Sequence, residues 1–126
     1  MSWEYFTDEE LTCKCGCGQM EMDDLFMTKV VAMRKALGFP FIVTSAYRCP
    51  EHNNKVSKTG LNGPHTTGRA LDIAVRGEHA LDVISAIRTH NLTGLGVKQH
   101  GPDRFVHFDD LGPTASRPRP WVWSYS

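Results

Sequence analysis

The stretch GPHTTGRALDI, residues 63–73, decides how this chain is read. It sets His65 seven residues before Asp72, with Gly68 between them, and an apolar run of Ala70, Leu71, Ile73, Ala74 and Val75 surrounds the aspartate. That pattern predicts a loop running into a buried strand. A loop imidazole and a strand carboxylate can converge on one point if the glycine lets the backbone turn, and this donor pair is a common beginning of a zinc site. A third donor lies downstream in RFVHFDD, residues 104–110, where Phe105, His107 and Asp109 alternate onto one strand face while Val106 and Phe108 take the other. His65, Asp72 and His107 together leave a fourth tetrahedral position open, the arrangement of a catalytic zinc ion rather than a structural one. Spacing alone leaves a plainer alternative, since a histidine on a strand is often only a satisfied polar residue.

The segments around this stretch predict a small α+β domain: a mainly antiparallel sheet of about four strands with two main helices packed to one side, and the zinc in a central cleft. From Asp23 to Leu37, Phe26, Val30, Met33 and Leu37 recur at helical spacing, with Asp23 to cap the start and Gly38 to end the helix. Pro40 blocks continuation, and FIVTSA, residues 41–46, is β-branched and apolar, hence a strand that delivers Tyr47 and Arg48 to its end. Cys49 to Pro64 reads as loop, one wall of the cleft, with His52 a hydrogen-bonding loop residue. Glu78 to Thr89 places Ala80, Val83, Ile84 and Ile87 on one helical face, with His79 and His90 solvated near its ends. Leu92 to Val97 and Arg104 to Asp109 then form a hairpin through the turn KQHGPD, residues 98–103. Residues 1–22 read as an irregular, cysteine-containing arm with one helical turn at Thr7 to Leu11, and the proline-rich tail from residue 112 to 126 docks back through Trp121, Val122 and Trp123.

At 126 residues the chain reads as one domain, too short for a second, separate binding module. Lysines and arginines balance aspartates and glutamates at 14 each, so the composition predicts neither nucleic-acid binding nor adhesion to an anionic membrane. The local exception is Arg117 with Arg119. MSWEYFTDEELT lacks the basic start and apolar core of a signal peptide, which predicts a chain made in the cytoplasm, and it reads as a monomer. Cys13, Cys15 and Cys17 alternate, so an extended backbone would put all three thiols on one face, with Cys49 able to approach them. The favoured reading is reduced thiols packed as small hydrophobes, with a second, structural metal site as the alternative.

TSAYRCPEHN, HTTGRALD, GLGV and FVHFD, in that order, resemble the successive motifs of the M15 family of zinc D,D-carboxypeptidases and L-alanyl-D-glutamate endopeptidases acting on peptidoglycan. The similarity takes in the opening YFTDEELTCKCGCG and the closing RPRPWVWSY, and is nearest to the short, phage endolysin-like members. It implies that His65, Asp72 and His107 hold one zinc ion, and that Arg48, matching the arginine of the family's YR pair, anchors substrate or stabilises an oxyanion. It further implies an endolysin-type L-alanyl-D-glutamate endopeptidase acting on the peptidoglycan stem peptide and reaching the wall after holin-mediated release. A D-alanyl-D-alanine carboxypeptidase is the alternative, and a non-catalytic peptidoglycan-binding module a third reading. Two departures stand out. Relatives carry a carboxylate three residues before the last ligand or a histidine two before it, where this chain has Arg104 and Phe105; Asp103, then His100, become the candidates for general base, with Asp109 orienting a ligand histidine. Gly63 replaces a serine common two residues before the first zinc histidine.

Overall fold

The computed structural model describes residues 2–126. Its centre is a five-stranded sheet in the order β1-β2-β4-β3-β5, with β1 at Ile42–Ser45, β2 at Ala70–Ala74, β3 at Gly94–Lys98, β4 at Phe105–Asp109 and β5 at Trp121–Ser124. The first four strands pair antiparallel, as the sequence predicts. The fifth exceeds the expected four: the tail docks by adding a strand parallel to β3, and Trp121 N–H donates to the Thr93 carbonyl at 2.9 Å. Trp121 and Val122 stay exposed, so only part of the expected aromatic docking is packing.

Alternation along β2 and β4 divides the sheet into two faces. Leu71 and Ile73 of β2 and Val106 and Phe108 of β4 are fully buried on the core side. They meet Phe26, Met27, Val30 and Met33 of the helix α2, Asp24–Leu37, and Ala80, Val83 and Ala86 of the helix α4, Gly77–Ala86. Each large apolar side chain enclosed there stabilises the fold by roughly 1.5–3 kcal/mol. The α2 start is capped by the Asp23 side chain accepting from Phe26 N–H at 2.9 Å. The first helix, α1 at Asp8–Leu11, opens with the predicted capping box of Thr7 and Glu10.

The opposite face carries the polar residues. Register sets Asp72 directly across from His107, so two of the three predicted ligands form one cross-strand pair at the sheet centre. Behind them, Asp110 is buried at the end of β4 and ties the sheet to α2: Arg69 donates to it through Nε at 2.8 Å and Nη2 at 3.0 Å, and Lys29 through Nζ at 3.0 Å.

Two local readings need correction. The segment from Cys49 to Pro64 is not loop throughout, because Pro50–Val56 forms a third helix, α3, with proline in its first turn, where its fixed φ suits a helix and its missing N–H costs nothing. His52 therefore sits on a helix. Among the cysteines only Cys13 and Cys49 are buried; Cys15 and Cys17 are exposed, so the four do not pack as one apolar group.

Candidate active site

His65 reaches the sheet from a 3-10 turn, Pro64–Thr67, that ends at Gly68. Gly68 takes φ +75°, and a β-carbon there would collide with the Glu21 carbonyl, so the turn needs glycine at this position. Gly63 meets a similar limit: a side chain would run into Thr59 and the amide of Asn53.

The three predicted donors converge. One ligand atom from each of His65, Asp72 and His107 lies within 4.8 Å of the other two, and all three residues are buried. His65 Nε2 is 3.2 Å from Asp72 Oδ1, and His107 Nδ1 is 2.9 Å from the same oxygen. Each ring is oriented by its other nitrogen. His65 Nδ1–H donates to the Ala46 carbonyl at 2.7 Å, and His107 Nε2–H donates to Asp109 Oδ2 at 2.7 Å. Such outer partners fix the tautomer and turn the free nitrogen toward a cation. Two imidazoles and a carboxylate suit zinc, and these residues could hold it.

Electrostatics in the protein without metal point the same way. Burial raises the Asp72 pKa, but the two histidines outweigh it and hold the carboxyl far below the usual carboxylate range. For His107, burial disfavours the charged ring, yet its hydrogen bonds to Asp109 and Asp72 prevail and lift its pKa to about 9. Asp109 is desolvated as well, but His107 and Arg119 hold it down to about 2.

Arg119 is a site residue that the sequence reading passed over. Its guanidinium grips Asp109 with two prongs, Nε to Oδ1 at 2.9 Å and Nη2 to Oδ2 at 2.8 Å. The chain Arg119–Asp109–His107 therefore fixes a candidate ligand from behind, as predicted for Asp109 alone. Glycine at 94 makes the room, since a β-carbon there would strike the Asp109 carboxylate.

The donors open onto a cavity of about 770 Å³. One wall is the α3 side, with Val56, Lys58, Thr59 and Asn62; the other is the tail, with Arg117, Arg119, Trp123 and Tyr125. Arg48 stands beside the donors, its Nη2 3.9 Å from Asp72 Oδ2 and its Nη1 donating to Asn53 Oδ1 at 3.1 Å. Asn53 is fully buried and also donates to Thr59 Oγ1 at 2.8 Å, so α3 positions the arginine. The Trp123 ring lies 5.0 Å from that of His107, and burial pushes the Tyr125 phenol up to about 12. The period-two spacing of Trp121, Trp123 and Tyr125 was the available signal for a strand lining the site.

Asp103 and His100 are not brought to the cavity. Both are exposed on the β3–β4 turn, where Lys98 Nζ donates to the Asp103 carbonyl at 3.0 Å and His100 Nε2–H donates to the Tyr125 carbonyl at 3.1 Å. Among the described residues lining the cavity, Asp72 carries the only acidic side chain.

Comparison with known proteins agrees with this geometry. The chain matches the family model described as Peptidase M15 over residues 4–109, a span that holds the three donors, Arg48 and all four cysteines and stops short of β5. No curated protein and no solved structure gives a significant match. With most of its length matched and a donor triad able to hold a metal, the chain belongs to the peptidase M15 family of metal-dependent hydrolases.

Proposed function

We propose that this chain is a zinc-dependent, endolysin-type endopeptidase that hydrolyses the L-alanyl-D-glutamate bond of peptidoglycan stem peptides. The observation that carries the reading is the convergence of His65, Asp72 and His107 within 4.8 Å on the floor of a cavity walled on two sides. His65, Asp72 and His107 would hold the zinc ion, which would supply Lewis acidity for a scissile carbonyl and lower the pKa of a water to about 7.

The remaining chemistry belongs to the chain itself. Arg48, Lys58 and Arg117 set positive charge along the walls, and Arg117 Nε has no hydrogen-bond partner among the described residues. Stem peptides carry free carboxylates, which a guanidinium can hold in a two-pronged grip. Arg48, whose Nη2 lies 3.9 Å from Asp72 Oδ2, would anchor the D-glutamate carboxylate or stabilise negative charge developing on the carbonyl oxygen. Arg119 and Asp109 keep His107 oriented while substrate binds. Proton transfer to the leaving amine by Asp103 or His100 would need the 98–103 turn to move toward the cavity. Release to the wall through a holin belongs to the same proposal and rests on the resemblance to phage endolysin-like members.

One observation favours a second reading: a cavity whose only acidic side chain, among the described residues, is a candidate ligand suits a module that holds peptide without cutting it. Purified protein incubated with intact sacculi, with and without a chelator, separates the two. Chelator-sensitive lysis with new amino-terminal D-glutamate in the fragments, identified by mass spectrometry, is the expected result. Release of D-alanine from a soluble pentapeptide with sacculi left intact would replace it by the carboxypeptidase, and binding without any cleavage by the module.

A further inference from the structure

The thiols of Cys13, Cys15, Cys17 and Cys49 play no part in the cleft, yet the fold brings all four Sγ atoms within 4.8 Å of one another. Three come from the amino-terminal arm. The fourth comes from the residue that follows Arg48, 32 positions beyond Cys17. We propose that these four cysteines form a second, structural zinc site that staples the amino-terminal arm to the segment carrying Arg48.

Distances support a single ion. Four sulfurs at the usual zinc–sulfur length of about 2.3 Å occupy a tetrahedron with edges of about 3.8 Å. Cys13 Sγ and Cys15 Sγ are 3.5 Å apart, and Cys15 Sγ and Cys49 Sγ 3.7 Å. All four are free cysteines, so the approach is not explained by disulfide bonding. The backbone is shaped for it: Gly16 and Gly18 adopt φ +89° and +79°, which curls the arm around the thiols, and Cys13 N–H closes the loop on the Gln19 carbonyl at 2.9 Å. Cys49 N–H donates to Cys13 Sγ at 3.3 Å, the kind of bond that supports a thiolate. Four thiolates around a dication leave a net negative charge, and the surface pocket beside Cys15, Cys17 and Cys49 is lined by Lys55 and His52 as well as Glu51.

The alternative of four packed thiols fails on burial, because Cys15 and Cys17 are exposed and have no apolar environment to occupy. A soft tetrahedral sulfur set selects zinc or iron. Zinc is the proposal, and the metal content distinguishes the two. The ion would join Cys13 to Cys49 directly, alongside the bond from Tyr47 N–H to the Leu11 carbonyl at 3.4 Å. Arg48 follows Tyr47, and its own N–H donates to the His65 carbonyl at 3.1 Å, so the staple borders the catalytic cleft without entering it.

The test uses the full chain and is independent of any peptidase assay. In the His107→Ala variant, purified under reducing conditions, one zinc per chain should remain. Exchange of that zinc for cobalt should give intense thiolate-to-cobalt charge-transfer absorption. Replacing both exposed cysteines, Cys15→Ser with Cys17→Ser, should abolish that band and lower the Tm by at least about 5 °C. Titrating unmodified protein with a mercurial reagent covers the case in which the serine variant does not fold; it should release zinc in step with thiol modification. Cobalt spectra without a thiolate band, zinc release unlinked to thiol titration, or iron as the metal at these cysteines would each overturn the proposal.

Discussion

The two donor clusters are built in opposite ways. His65, Asp72 and His107 stand on a sheet and a glycine-ended turn, and the ring nitrogens not facing the cluster already have partners in the Ala46 carbonyl and the Asp109 carboxylate. The four cysteines stand on an arm and a helix start, and two of them are exposed. The first cluster is therefore organised by the fold's own hydrogen bonds; at the second, a bridging metal would add to the bonds that already join the arm to residues 47–49. On the proposals made above, one cluster would do chemistry on a cavity and the other would keep an edge of the molecule together, and substitutions should separate them.

The largest effect should come from His107→Ala. It removes a donor and leaves Asp109 without its imidazole, so hydrolysis should fall by at least about a thousandfold while zinc on the cysteines stays bound. Metal analysis alongside the rate measures both, and unchanged activity would end the metallopeptidase reading. Arg48→Lys keeps the charge but loses the two-pronged grip and its fit to Asn53. A fall of about a hundredfold in kcat/KM, with zinc content unchanged, is the expected result. Smaller again, Asp109→Asn or Arg119→Ala should weaken metal affinity at the first cluster by about 10–100-fold, seen in chelator competition, and leave the thiolate site untouched.

Without metal, the first cluster should also respond to pH. His107 has its pKa raised to about 9, so its stabilising contribution is complete below its ordinary value of about 6.5 and is lost as pH rises through 9. Asp72 and Asp109 are depressed, so theirs is present above about pH 4 and is lost as pH falls toward 2. Chelated protein should therefore have its highest Tm between those limits. A Tm that climbs from pH 6 to 9 would contradict the network. The smallest effects belong to the β3–β4 turn: Asp103→Asn and His100→Ala are exposed changes outside the cavity, expected to alter kcat/KM by no more than about twofold. A collapse of kcat in Asp103→Asn would show that the turn closes over the site during turnover.

Much of this molecule could be read from local order. Helices α2 and α4 follow from apolar residues at a period near 3.6, and β2 and β4 from alternation, because backbone geometry imposes those repeats wherever the chain lies. Alternation also put Phe105, His107 and Asp109 on the face away from the core, and the spacing around Gly68 singled out His65 and Asp72. What the sequence could not determine are the partnerships between distant segments. Nothing periodic links Arg119 to Asp109, Asn53 to Arg48, or Cys49 to the arm, and a tail of prolines and tryptophans does not announce the strand it will pair with. Asp103 was a reasonable candidate by position along the chain, but in the structure it is exposed and does not line the cavity. Such pairings depend on register, on the path of the connecting loops and on which side chains exclude one another, all of which exist only once the sheet has closed around its core.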